Sequence, residues 1–360
     1  MLPAKQLRKI MRQPAKCAEA VHLEYVSDQA PGITRILHGK EFRYFYNGKP
    51  VKSKSELVRI RQLVIPPAWK NVWICKLSNG HLQVTGYDTR NRKQYKYHPS
   101  WNNFRNQTKF SRLWDFGNVL PQIRLKMEKH LSLAGMPREK VLAAVVSLME
   151  RTTIRVGNSF YEKLYGSYGL TTLKDKHVDI AGIGMVFSFK GKKGVYHNIP
   201  IMSKRLASIV KKCRDIPGQE LFQYYDDNGN RHSIDSGMVN EYIKTISGSD
   251  YSSKDFRTWA GTVKALMTFK EIGSPQSVKE ARKNIVTAMD TVSKHLGNTK
   301  TICRKYYVHP LIISLYEKMA LQKHLEEIEE IEEDDNITGL TSVEKILMQI
   351  LESSLKDTFS

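Results

Sequence analysis

The sequence predicts an α+β fold. A small β-rich N-terminal domain (residues 1–102) precedes a larger, mainly helical domain (residues 103–322) with a β-hairpin insertion. An acidic segment and a last amphipathic helix occupy residues 323–360. Three observations predict this. Up to about residue 100, short β-type runs alternate with tight turn signals. From Trp101 onward apolar residues recur at helical spacing. Residues 178–199 break that spacing and read again as strands around a glycine-flanked turn.

Residues 33–37 and 41–46 flank His38-Gly39-Lys40, a hairpin signal, and Asn47-Gly48 is a second turn. A short helix over 55–62 ends before Pro66-Pro67. Strands follow at 72–77 and 81–87 around Ser78-Asn79-Gly80, with a last one at 95–98. Residues 104–131 predict one or two helices, with Pro121 as a break or a first-turn residue. Residues 137–150 predict a helix whose apolar stripe is Val141, Leu142, Val145, Leu148 and Met149, and 161–168 continues in the same style. Further helices are expected at 203–213, 236–246, 260–273, 277–296 and 310–323, and a short amphipathic one at 343–355. Residues 325–335 are an acidic run, expected in solvent or extending a helix.

Charge is the strongest compositional signal. Fifty-seven Lys and Arg oppose thirty-six Asp and Glu, for a net +21. Residues 321–360 hold eleven acids and three lysines, so the first 320 residues carry +29. Such a body fits a polyanionic partner, nucleic acid first. Cys17, Cys75, Cys213 and Cys303 are far apart and form no C-x-x-C pair, which argues against disulfide or zinc frameworks. The basic N-terminus lacks the continuous apolar stretch of a signal peptide, and no run is long enough to cross a bilayer. An intracellular protein is expected, in cytoplasm and nucleoid or in a virion or viral factory, depending on host.

Four features carry chemistry only in combination. Tyr306 and Tyr307 lie beside Arg304 and Lys305. A tyrosine hydroxyl, with a pKa of about 10, attacks phosphorus well only where cations assist it. Arg155 precedes Gly157, which permits close backbone approach, and Arg257 lies at the mouth of the predicted 260–273 helix. Guanidinium forks hold two phosphate oxygens at once. Lys192 sits in the Gly191–Gly194 turn, placed to give a proton to a leaving oxygen. Alone, each is an ordinary loop tyrosine, surface arginine or hairpin lysine. Carboxylates cluster only in the tail, so no metal and no cofactor are expected. The stretch Arg92, Gln94, Tyr95 and Tyr97 mixes bases and aromatics in a way that suits DNA grooves.

Together these segments resemble the type IB DNA topoisomerases of the short, bacterial and poxvirus kind. Ile65-Pro66-Pro67-Ala68-Trp69, Gln94-Tyr95-Lys96-Tyr97, Arg155-Val156-Gly157, residues 169–177, Gly191-Lys192, Arg257-Thr258-Trp259 and Gly297-Asn298-Thr299 through Tyr307 fall in the family's order. The resemblance implies that the helical domain is catalytic, with Tyr307 as nucleophile, Arg155 and Arg257 on the phosphate oxygens, and Lys192 as general acid. It places Asn298 where poxvirus members have histidine. Lys254, Tyr161, Lys174, Arg92, Gln94, Tyr95 and Tyr97 fall at DNA-contacting positions. It further implies a monomeric clamp around duplex DNA, preferably supercoiled, that nicks one strand through a 3′-phosphotyrosyl bond, relaxes supercoils and religates without ATP or metal. The acidic segment and last helix lie outside the resemblance, and any partner of theirs is left open.

The nearest alternative is a site-specific tyrosine recombinase or integrase. Those enzymes usually carry histidine three residues before the second arginine, where this chain has Lys254. A non-catalytic DNA-packaging protein fits the charge but gives no reason for Arg155, Lys192, Arg257 and Tyr307 in one ordered set.

Overall fold

The computed structural model describes residues 14–39, 41–89, 93–108, 110–328 and 338–356. The chain falls into two compact units, one ending at Arg112 and one beginning at Leu113.

In the first unit, α1 (Pro14–Glu19) precedes β1 (Ile33–His38), β2 (Glu41–Tyr46), β3 (Lys49–Pro50), α2 (Lys54–Gln62), β4 (Lys70–Ile74), β5 (Leu82–Tyr87), β6 (Lys93–Tyr97) and α3 (Pro99–Thr108). The strands form one antiparallel sheet in the order β3-β2-β1-β4-β5-β6. The β1–β2 register closes at His38 opposite Glu41, and β2–β3 at Tyr46 opposite Lys49, with Asn47 and Gly48 both at positive φ as a tight hairpin turn requires. Ser53 caps α2, which buries Ile60 against Ile33, Val72, Ile74 and Val84. The Ile65-Pro66-Pro67-Ala68-Trp69 segment wraps Arg35, whose guanidinium donates to the carbonyls of Ile65, Pro66, Pro67 and Trp69. The unit extends to Arg112 because Trp101 and Phe104 of α3 pack with Cys17, Ala18 and Leu23.

The second unit contains α4 (Leu113–Leu131), α5 (Arg138–Thr152), α6 (Ser159–Tyr165), β7 (Val178–Ala181), β8 (Gly184–Lys190), β9 (Tyr196–Met202), α7 (Lys204–Arg214), β10 (Gln223–Tyr225), β11 (Arg231–Ser233), α8 (Ser236–Ser247), α9 (Ser253–Ile272), α10 (Val278–Leu296), α11 (Lys300–Tyr306), α12 (Pro310–Glu317), α13 (Gln322–Glu326) and α14 (Ser342–Lys356). Strands β7, β8 and β9 form the expected insertion as a three-stranded antiparallel sheet. Helix α5 is buried on every side from Val141 to Met149, not only along its predicted stripe. It is the axis around which α4, α7, α8 and α9 pack.

Several expectations are corrected. Pro121 neither breaks α4 nor starts it; it sits in the interior, where its missing N–H costs only the bond to the Gly117 carbonyl. Helix α6 stops at Tyr165, before Gly166 at φ 56°. The helix expected over 260–273 begins at Ser253, because Ser252 and Asp255 close a capping box. The stretch 310–323 is interrupted at Met319, whose φ of 57° separates α12 from α13. Residues 300–306 form α11 and not a loop, and the β10–β11 hairpin was not anticipated. Most of the acidic run, residues 329–335, lies outside the described residues. All four cysteines are free and buried.

The last helix is part of this core. Arg124 of α4 donates to Glu150 of α5 at 2.8 Å and grips both carboxylate oxygens of Glu344 at 2.9 and 2.8 Å. The same carboxylate accepts from Trp259 Nε1 of α9 at 2.8 Å. Burial alone would raise the Glu344 pKa; Arg124 and Trp259 override it and hold it below the ordinary glutamate value. No helix among the described residues is long and apolar enough to cross a membrane.

Candidate active site

The site is assembled from three backbone crossings in the second unit. Arg155 follows α5, whose last residue is succeeded by Thr153 at φ 54°. The stretch after it is clamped to the loop at 169–172. Leu170 N donates to Arg155 O at 2.9 Å and Thr171 N to Val156 O at 2.6 Å. Here Gly157, at φ 100°, lies back to back with Gly169; a Cβ on Gly169 would stand 2.6 Å from Gly157 Cα. The close approach anticipated from the sequence is therefore between two glycines, and only glycine fits either place.

Arg257 lies in the second turn of α9, not at its mouth, and is 5% exposed. Its guanidinium donates to the Thr153 carbonyl and to the Leu296 carbonyl at 2.7 Å, while Nε is buried without a hydrogen-bond partner. Arg155 Nη2 donates to Gly297 O at 2.9 Å and to Asn298 Oδ1 at 2.5 Å. Burial, then repulsion from Arg257, pushes the Arg155 pKa down to about 10, so it stays charged at neutral pH. Burial lowers that of Arg257 as well, while Tyr307 opposes the shift. Among the described residues neither arginine forms an ion pair with a carboxylate. Burying an unpaired charge costs several kcal/mol, so a buried cation beside a half-buried one, with no carboxylate on either among the described residues, marks a place for an anion.

Tyr307 caps the C-terminus of α11, and the Arg257 guanidinium carbon lies 5.4 Å from its ring centre. Thr262 of α9, fully buried, fixes this end of the helix: its Oγ1 accepts from His309 N at 3.1 Å and shares its one hydrogen between Thr258 O at 2.9 Å and Tyr307 O at 3.3 Å. Sequence reasoning missed Thr262; a threonine inside a helix gives no signal of a contact 45 residues away. Tyr306, by contrast, faces Lys305, whose ammonium is 5.4 Å from its ring centre. Asn298 follows Gly297, the left-handed cap of α10. With Oδ1 taken by Arg155, its Nδ2 is buried and has no partner among the described residues.

Lys192 opens the short turn that ends at Gly194 and is exposed. It lines one cleft together with Arg155, Gly191, His197 and Leu296. His197 was not singled out from the sequence. Nothing in the β-type pattern around it indicates that β9 would face its ring toward the arginines.

The groove-contacting positions divide. Lys254 is exposed one turn before Arg257 on α9. Lys174 is instead tied by its Nζ to Glu162 at 2.9 Å and Glu220 at 3.1 Å, which bind the loop before β7 to α6 and to the segment before β10. Burial opposes its charge, yet the two carboxylates hold its pKa above the ordinary lysine value. Tyr161 lies on α6. In the first unit, Gln94 donates to Asp88 at 2.9 Å, and Tyr95, 48% exposed, stacks on Tyr97 at 6.1 Å between ring centres. Arg92 lies outside the described residues. Among the described residues no three His, Cys, Asp or Glu side chains gather as a metal ligand set.

A tyrosine beside two arginines, with a turn lysine on the neighbouring cleft, suits phosphate chemistry on a polyanion. Comparison with known proteins narrows it. Residues 98–335 match the family model of the eukaryotic DNA topoisomerase I catalytic core, and residues 41–88 that of the bacterial DNA topoisomerase IB N-terminal domain. A protein of Acanthamoeba polyphaga mimivirus, "DNA topoisomerase 1B", is 31% identical over 335 residues, covering 91% of this chain and 96% of the relative. "DNA topoisomerase I" of Monkeypox virus and "DNA topoisomerase 1B" of Vaccinia virus (strain Copenhagen) are each 26% identical over 239 residues, 65% of this chain and 72% of theirs. The chain belongs to the type IB DNA topoisomerase family; it is an isomerase and its substrate is DNA. The recombinase alternative is not favoured.

Proposed function

We propose that the chain relaxes supercoiled duplex DNA by reversible transesterification at Tyr307. The Tyr307 oxygen attacks a backbone phosphorus and its proton leaves to solvent. The bond to the 5′ oxygen breaks, leaving a 3′-phosphotyrosyl link. Arg155 and Arg257 hold the non-bridging oxygens and offset charge as it builds on them. Asn298 gives its free amide hydrogens to the same phosphate, and Lys192 protonates the departing 5′ oxygen. The free end rotates, and the reverse attack rejoins the strand. The phosphotyrosine keeps the bond energy, so no nucleotide, metal or other cofactor enters. The observation that carries this reading is the pair of half-buried Arg155 and buried Arg257, which has no carboxylate partner among the described residues and adjoins Tyr307.

In this reading the protein acts inside the cell or viral factory as a monomeric clamp. The first unit contributes Arg92, Gln94, Tyr95 and Tyr97 to the groove, and Lys254 and Tyr161 add phosphate contacts. Lys174 acts through the loop it fastens. Supercoiled plasmid incubated with the protein in EDTA is expected to yield a ladder of relaxed topoisomers, faster at moderate than at high salt because phosphate contacts dominate binding. An unchanged ladder at every salt concentration rejects the reading.

Lys192→Ala is expected to slow cleavage of ordinary DNA by roughly 10²–10⁴, the usual contribution of a general acid. On a 5′-phosphorothiolate substrate, whose leaving group needs no proton, the deficit should largely vanish. Equal deficits on both substrates reject the role.

A further inference from the structure

His197 of β9 stands directly opposite Phe189 of β8, and its ring stacks on that phenylalanine at 5.0 Å between centres and 25° between planes. Phe189 is 2% exposed, which gives the imidazole a rigid backing. The ring's free edge fits between two main chains. A Cβ on Gly191 would lie 2.6 Å from His197 Nε2, and one on Gly297 would lie 2.9 Å from Cε1. Gly191 starts the turn that carries Lys192, and Gly297 immediately precedes Asn298. At Gly191 the ring occupies the space a side chain would need, and at Gly297 it adds to the demand of a left-handed helix cap. One imidazole therefore separates the lysine turn from the loop that holds Arg155 and Asn298.

We infer that His197 is a positioning residue for strand cleavage: its ring fixes the spacing between the Lys192 turn and the Asn298 loop, and so sets the Lys192 ammonium over the leaving oxygen. The inference rests on the general-acid reading of Lys192. The surroundings disfavour a charge on this ring, since Arg155 and Lys192 share its cleft. Burial, reinforced by Arg155 and Arg257, holds the His197 pKa below its ordinary value, and a neutral wedge leaves the arginines' field to the phosphate.

The test is single-turnover cleavage at saturating DNA, on ordinary and 5′-phosphorothiolate substrates. His197→Ala is expected to cleave ordinary DNA roughly 10- to 100-fold more slowly, the scale of loss when a catalytic group shifts by about 1 Å. The loss should collapse on the phosphorothiolate. A Lys192→Ala/His197→Ala double variant should be no slower than Lys192→Ala. His197→Phe, which keeps a stacked ring, should recover most of the rate, and His197→Gln should not. Should His197→Ala fail to fold, the Phe and Gln variants decide alone. Equal loss on both substrates, additive losses in the double variant, or His197→Phe as slow as His197→Gln overturns the inference. If Lys192→Ala is rescued by the phosphorothiolate and the ring-less His197 variants are not, only this inference fails. If Lys192→Ala is not rescued, the general-acid reading itself falls.

Discussion

Tyr307→Phe is expected to abolish covalent capture of DNA, with no phosphotyrosyl adduct on denaturing gels and no plasmid relaxation, while Tyr306→Phe keeps both. The phenol oxygen is the bonding atom, so its removal eliminates the covalent route outright. The two tyrosines are adjacent in sequence but differ in surroundings. Tyr307 lies beside the buried Arg257 guanidinium, and its main chain is fixed to α9 through Thr262. Tyr306 faces only the side chain of Lys305 among the described cations near its ring. DNA binding by Tyr307→Phe should stay near that of the unaltered protein, because the arginine pair and basic surface remain. Adduct formation by Tyr307→Phe would transfer the nucleophile assignment elsewhere.

The second large effect concerns stability. Glu344→Ala is expected to destabilise the catalytic unit by about 3–5 kcal/mol, the usual result of removing one partner of a buried ion pair. The loss is read as a fall in the denaturation midpoint. It leaves Arg124 with Glu150 as its remaining carboxylate among the described residues and strands the Trp259 indole N–H. Replacing all three charged partners, Arg124→Met with Glu150→Gln and Glu344→Leu, should restore much of the loss, since no unpaired charge is then buried. A loss below about 1 kcal/mol, the range of exposed ion pairs, would mean that α14 is a surface attachment and not part of the core.

The α+β architecture was legible in the sequence because local rules write it, and Arg155, Lys192, Arg257, Asn298 and Tyr307 stood out as candidates through the order of their motifs. Turn glycines mark the hairpins, apolar period marks the helices, and the ordered motifs mark the polar residues. What stayed illegible depends on distant partners. The start of α9 was misplaced although Ser252 and Asp255 spell a capping box, because the apolar pattern becomes clear only after Ala260. Lys174 read as one more cation for DNA; only the fold shows Glu162 and Glu220 closing on it. The last helix was recognised as amphipathic, but what its apolar side and Glu344 would meet lay some 220 residues back, at Arg124. His197 carries no motif of its own, and its place follows from strand register and from two glycines belonging to other loops.

The bond between Glu344 and Trp259 also imposes a schedule. The two residues are 85 positions apart in the chain. At synthesis rates of about 5–20 residues per second, the glutamate emerges roughly 4–17 s after the tryptophan. Until then Arg124 has only the Glu150 carboxylate and the Trp259 indole N–H has none, so the junction of α4 and α9 remains incompletely braced. The bracing of α9 by α14 is thereby a late event in synthesis, completed only after the ribosome has delivered Glu344.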